Sequence, residues 1–251
     1  REALRLTGIE SGVEITTIAD IPGQGTGLGS SSSVTVGLLN AMHAFQGREV
    51  SKEQLAEEAC QIEIDTLGAP IGRQDQYAAS FGGVNSIRFG ENGVQVEPIE
   101  VSEGLSKKLS ESFTLVFTGL TRSASKVLSE QSDDESDKNS RMREIRKHAD
   151  EAASHIENGD LDSLGAILNQ TWISKRGVSS MVTNTQIDDL YERVISSGAL
   201  GAKLLGAGNG GFLLVCGNRQ LRGILQRELG EGHRMFPLEI DFSGSSIIFG
   251  T

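Results

Sequence analysis

Two cysteines in 251 residues are too few for a disulfide framework, and Cys60 and Cys216 stand in apolar helix-like and strand-like contexts. Buried free thiols in a reducing cytosol are the expectation, and no Cys/His spacing suggests zinc. No apolar run reaches the roughly 20 residues of a membrane helix, and no signal-peptide pattern is present. The expected location is therefore cytoplasmic, with no membrane partner. Cations are also short: 23 Lys and Arg face 34 Asp and Glu, a formal net charge of −11. Binding nucleic acid in general needs a basic face, so no nucleic-acid partner is expected. One small phosphate ester needs only local positive charge and stays compatible. The chain opens on Arg1, and Glu2 to Leu6 reads as a helix end closed by Gly8. The numbering is thus expected to begin inside a longer protein.

What the chain has in quantity is glycine, 31 residues, concentrated at informative places. Pro22-Gly23-Gln24-Gly25-Thr26-Gly27-Leu28-Gly29 leads into Ser30-Ser31-Ser32-Ser33 and then into an apolar stretch of helical length, Val34 to Phe45. Glycine permits positive φ and close approach to a ligand. First-turn amides of a helix lack intrahelical acceptors and lie at the positive end of the macrodipole, which makes an anion site. Walker A needs a Lys before its Ser/Thr, and here Gly29 precedes Ser30; the dinucleotide fingerprint has no serine run. A Gly/Ser linker is the bland alternative. It fits poorly with a clean helical stripe directly after it: Val34, Leu38, Leu39, Met42 and Phe45.

The rest alternates. Val13–Ile18 reads as a strand, and Ser51 caps a helix running to about Leu67. Residues 74–80 read as a short helix, and Asn85–Phe89 with Val94–Ile99 as a hairpin. Phe113–Phe117 is an apolar strand, and 129–140 an acidic, serine-rich solvated segment. Helices are expected over 140–158, 161–170, 187–196 and 221–229. Strands are expected at 202–205, 212–216, 235–240 and 246–249. The class is α+β with mainly antiparallel strands, and a composition change over 102–112 suggests domains of 1–108 and 109–251. A second glycine cluster, Gly206-Ala207-Gly208-Asn209-Gly210-Gly211, follows Lys203. Taken alone it is as readily a strand junction as a ligand loop. The third constellation is Glu63 with Gly72-Arg73-Gln74-Asp75-Gln76-Tyr77. Asp75 reads either as a first-turn helix charge or as a carboxylate that accepts a hydroxyl proton.

Together these residues resemble the GHMP small-molecule kinases. Pro22 to Ser31 matches that family's P-x-G-x-G-L-G-S-S motif with Thr26 inserted, and Lys203 to Gly211 matches its Lys-Leu-x-Gly-Ala-Gly-x-Gly-Gly pattern. Glu63 to Gln76 is similar to the segment carrying a metal-binding Glu and a catalytic Asp. Gly82-Gly83, Phe117-Thr118-Gly119, Arg122-Ser123-Ala124 and Phe242-Ser243-Gly244-Ser245 look most like the heptose 7-phosphate kinases within the family. The family's first motif has no counterpart. The resemblance implies a two-domain fold: an N-terminal part like ribosomal protein S5 domain 2, with its first strands missing, and a ferredoxin-like C-terminal part. It also implies ATP-dependent phosphorylation of a sugar phosphate at its anomeric hydroxyl. ATP would lie over Gly23, Gly25, Gly27, Leu28, Gly29, Ser30, Ser31 and Ser32. Mg²⁺ would be held by Ser31 and Glu63, and Asp75 would be the catalytic group. The acceptor would meet Arg73, Arg122, Lys175, Arg176, Gly206, Ala207, Gly208 and Gly210. A fucose or galactose kinase, or an inactive sensor on the same scaffold, are the alternatives; a homodimer is compatible.

Overall fold

The computed structural model describes residues 1–19, 25–121 and 135–249. By contacts the chain forms two compact units. The first holds residues 1–19, 29–83 and 241–249, and the second residues 25–28 and 84–240, as far as they are described.

The first unit is helical. Helix α1, Glu2–Thr7, stops at Gly8, whose left-handed backbone lets its amide close the last turn. Helix α2, Ser30–Phe45, starts four residues before the apolar stretch, at an N-cap glycine, Gly29, with φ +70°. Its buried stripe is Ser32, Val36, Leu39, Met42 and His43, while Val34 and Phe45 are exposed. The stripe is thus rotated from the one the apolar residues alone suggest, because two polar members have partners inside. Ser32 bonds Glu63, and His43 bonds Glu58 at 2.6 Å. Helix α3, Lys52–Cys60, is capped by Ser51 and runs on as a π-helical segment, Gln61–Thr66. Helix α4, Gln74–Phe81, packs against α2 and α3. Val36, Leu39, Leu55, Ala59 and Ile62 are among the core residues; truncating Leu39, Leu55 or Ile62 to Ala costs about 2–5 kcal/mol. Gly82 and Gly244 pack backbone to backbone, and Lys52 Nζ donates to the carbonyls of Phe81 and Ser243. The expected strands at Val13–Ile18 and 246–249 are absent. Neither segment pairs with another described strand, and Ile18, Ile248 and Phe249 stay exposed.

The second unit is a sheet with helices. The hairpin β1 (Asn85–Gly90) and β2 (Gly93–Pro98) pairs Asn85 with Pro98 and turns at Glu91-Asn92. The 102–112 stretch is a helix, α5 (Glu103–Ser112), capped by Ser102. Its few apolar positions, among them buried Leu109, hide in a serine- and lysine-rich composition that reads as a domain boundary. Then come β3 (Phe113–Phe117), α6 (Glu135–Asn158), α7 (Leu161–Arg176), α8 (Thr185–Ser196), β4 (Gly201–Leu204), β5 (Phe212–Cys216), α9 (Leu221–Leu229) and β6 (Met235–Pro237). The sheet order is β4-β5-β3-β6, every pair antiparallel. Helix α6 starts inside the acidic segment. Helix α7 lies on the sheet through Gly165 and Gly201, where a Cβ on either would strike the neighbouring element. Trp172, Val116, Leu213, Val215 and Leu225 centre the core. Cys60 and Cys216 are buried free thiols, and burial pushes the Cys216 thiol up to about 12.

Candidate active site

The chemistry-bearing groups of the first unit meet around one carboxyl. Glu63 lies in the π-helical segment, and only 3% of it is exposed. A buried acid keeps its oxygens only if donors satisfy them. Two come from the first turn of α2: Ser31 Oγ donates to Oε1, and Ser32 Oγ donates to Oε2 at 2.7 Å. A third comes from α4, where Gln76 Nε2 donates to Oε2 at 2.6 Å. Ser31 and Ser32 therefore do not cap their helix; their hydroxyls serve Glu63, while Ser33 Oγ donates to the Gly29 carbonyl. The π segment widens the helix by one residue per turn, and such segments recur at functional sites.

Asp75 sits beside Gln76 in the first turn of α4. A Cβ at Gly29 would lie 3.3 Å from the Asp75 side chain, so the loop's last glycine packs on this carboxyl. Burial pushes the Asp75 carboxyl above its usual value; a Gln74 hydrogen bond acts against this, and the nearby Glu63 charge adds to the rise. A half-buried acid with a raised pKa is a better proton acceptor than a solvated one. Gly29, Ser31, Ser32, Glu63, Asp75 and Gln76 thus share one locus, though 46 residues of sequence lie between its ends.

Mg²⁺ asks for hard oxygen donors and commonly takes one or two from protein, the rest from phosphates and water. Ser31 Oγ and Glu63 Oε1 are neighbouring oxygens of the right type, and the second Glu63 oxygen is held in place. The donor set fits such an ion. Among the described residues no three His, Cys, Asp or Glu side chains cluster as a metal set of their own.

In the second unit the two glycine loops pack on each other. Phe212 N donates to Thr26 O at 3.1 Å, and a Cβ on Gly27 would lie 2.8 Å from Leu205 O. Gly27 has φ +75°, so both conformation and space demand glycine. The second loop is tied at both ends. Asn209 N donates to Val182 O at 2.6 Å, Gly211 N to Leu120 O at 2.9 Å, and Asn184 Nδ2 to Asn209 Oδ1 at 2.6 Å. Asn209 itself holds φ +61°, a left-handed conformation rare outside glycine. Lys203, on β4, has its ammonium lowered below the usual value by burial.

The described acceptor-binding candidates Arg73, Lys175 and Arg176 have protein partners. Arg73 pairs with Glu57 and lies over the Tyr77 ring, whose hydroxyl also donates to Glu57. Arg176 pairs with Asp188 at 3.0 Å and lies over Tyr191. Lys175 donates to the Gly206 carbonyl, bracing the second glycine loop. Gly23 and Arg122 lie outside the described residues. Reading the sequence assigned no role to Gln76 and gave Ser32 to the nucleotide alone. Their contact with Glu63 joins three elements, and no local pattern signals it.

Residues 1–83 match the family model of the GHMP kinases N terminal domain, and residues 152–232 that of the GHMP kinases C terminal domain. The chain is 34% identical over 200 residues to a D-glycero-alpha-D-manno-heptose 7-phosphate kinase of Campylobacter jejuni, covering 78% of this chain and 59% of that protein. It is also 34% identical to a mevalonate kinase of Aeropyrum pernix, over 75% of this chain and 56% of that protein. A D-glycero-D-manno-heptose 1-phosphate kinase structure from Bacteroides thetaiotaomicron superposes with a TM-score of 0.70 at 24% identity, covering 88% of this chain and 62% of that one. The chain thus spans about three fifths of the length of these relatives.

Proposed function

Because this chain belongs to the GHMP kinase family, we propose that it carries the phosphoryl-transfer site of an ATP-dependent sugar-phosphate kinase. The acceptor is D-glycero-D-manno-heptose 7-phosphate, phosphorylated at its anomeric hydroxyl to supply nucleotide-activated heptose. The observation that carries the kinase reading is the single locus of Gly29, Ser31, Glu63 and Asp75 in the first unit.

Phosphoryl transfer depends chiefly on positioning and on neutralising charge. Amides of the segment 25–32 and the N-terminus of α2 bind the nucleotide phosphates. Ser31 and Glu63 hold Mg²⁺, which when bound offsets phosphate charge. Asp75 orients the sugar hydroxyl and accepts its proton, and burial supports that role by raising its basicity. Gly206, Ala207, Gly208 and Gly210 shape the acceptor side. Arg122, Arg73, Lys175 and Arg176 are the candidates for reading the sugar's own phosphate through charge-assisted hydrogen bonds. The protein works in the cytoplasm.

Identity alone does not separate acceptors, since the heptose 7-phosphate kinase and the mevalonate kinase match at 34% each. The heptose reading is supported by the Gly82-Gly83 pair and the Phe242-Ser243-Gly244-Ser245 segment, which pack together in the first unit. Retention of both carboxyls speaks against an inactive sensor. The test is coupled ADP release by the full-length protein with heptose 7-phosphate, free heptose, fucose, galactose and mevalonate. Turnover confined to, or at least tenfold greater with, heptose 7-phosphate is expected. Preference for a neutral sugar or for mevalonate replaces the acceptor; no turnover with any of them removes the enzyme reading.

A further inference from the structure

We propose that Gln76 is a positioning residue for the divalent ion: together with Ser32 it fixes the Glu63 carboxyl so that Oε1, beside Ser31, is the oxygen offered to metal. The inference rests on the reading of Glu63 as a metal ligand and adds a residue to which that reading gives no task.

Gln76 is 0% exposed. Its Nε2 lies 2.6 Å from Glu63 Oε2, and Ser32 Oγ lies 2.7 Å from the same oxygen. Ser31 Oγ donates to the other oxygen. Two donors on Oε2 and one on Oε1 make the carboxyl's halves unequal. Oε2 is engaged by the protein from two elements, α4 and α2, while Oε1 has only the hydroxyl that would itself turn to an ion. The amide nitrogen, which only donates, is the Gln76 atom that faces the carboxyl oxygen.

Packing does not account for this residue. The Gln76 Oε1 atom is buried with no partner among the described residues. An unpaired buried acceptor is costly, and a Leu or Met would fill the volume without it. The amide is retained against that cost where its donor has a task. Partners of this kind, one step behind a metal ligand, commonly change metal affinity ten- to a hundredfold when lost. Gln76 also follows Asp75 directly, so one helical turn sets both the proton acceptor and the metal-facing oxygen.

The test is a Mn²⁺ titration of the full-length protein with ADP present, read by the electron paramagnetic resonance of free Mn²⁺. Gln76→Met should weaken Mn²⁺ binding about ten- to a hundredfold. ADP affinity without metal should stay unchanged, and high metal should restore most turnover. Glu63→Gln should weaken it at least as much. If Glu63→Gln weakens binding while folded Gln76→Met does not, the positioning inference is overturned and the ligand reading stands. If Glu63→Gln leaves binding unchanged, the ligand reading falls and the inference with it. Should Gln76→Met not fold, Ser32→Ala asks the same question of the same oxygen; wild-type Mn²⁺ affinity there overturns the inference.

Discussion

Asp75 and Glu63 are two acids a short distance apart whose surroundings treat them differently. Glu63 is wrapped by three donors, two hydroxyls and an amide. Asp75 is pushed upward by burial and by the Glu63 charge. The raised Asp75 carboxyl and its proposed role as proton acceptor give Asp75→Asn two expected consequences of opposite sign. Turnover should fall at least about 100-fold while ATP affinity holds, the scale of a positioned acid–base group. Stability near neutral pH should rise. A carboxyl whose folded pKa lies above its unfolded one destabilises the fold once pH exceeds both, because the unfolded state gives up its proton first. The stability advantage of Asp75→Asn over wild type should therefore be present above the folded pKa and fade as pH falls below the ordinary aspartate value of 3.8. Melting temperatures of both proteins from pH 3 to 7.5 read this directly. A variant that loses activity without gaining stability at neutral pH would mean that Asp75 is not held at an energetic cost.

At the scale of elements, the first glycine loop makes a packing contact besides its proposed phosphate site, and the sequence points only to the latter. Four spaced glycines before a serine run announce a phosphate loop through backbone freedom. They do not show that Gly27 is pressed against the Leu205 carbonyl and that Thr26 accepts from Phe212. Gly27→Val should thus abolish nucleotide binding and also destabilise the sheet unit, since even a Cβ displaces the β4 end. Hydrogen exchange should show faster opening at Leu204 and Leu213, and unchanged protection there together with normal ATP affinity would leave the loop a linker. Elements with strong periodicity or clear caps were legible: β3 and β5, α9, the hairpin, and the helix after Ser51. The misses share one cause. Val13–Ile18 alternates like a strand, but alternation makes a strand only when a partner strand pairs with it. Helix α5 has too few apolar residues to announce itself, and its packing is tertiary. The stripe of α2 turns toward Ser32 and His43 because acids on other segments wait there. Asp75 and Glu63, with the roles proposed for them, were singled out through the resemblance of Glu63 to Gln76; the hydrogen bonds around Glu63 join distant segments and were not legible.

Over the whole chain the balance of charge is −11, while every proposed substrate is an anion. The described cations proposed to read the acceptor are engaged: Arg73 with Glu57, Arg176 with Asp188, and Lys175 with a loop carbonyl. Paired charges bind at contact but project little field, so the long-range potential felt by an approaching sugar phosphate is set by the acidic excess. Such a field slows encounter of like charges, and salt screens it. The screening length shrinks from about 30 Å at 0.01 M to about 8 Å at 0.15 M ionic strength. The expected outcome is that kcat/KM for the sugar phosphate rises, by about two- to fivefold over that range at saturating Mg–ATP. A free sugar, having no charge to repel, should show almost no change, which makes it the internal control. A fall in kcat/KM with salt for the phosphorylated acceptor would mean that a local basic patch outweighs the net charge. Arg122 would then be the first residue to replace, since Arg73 and Arg176 already pair with acids.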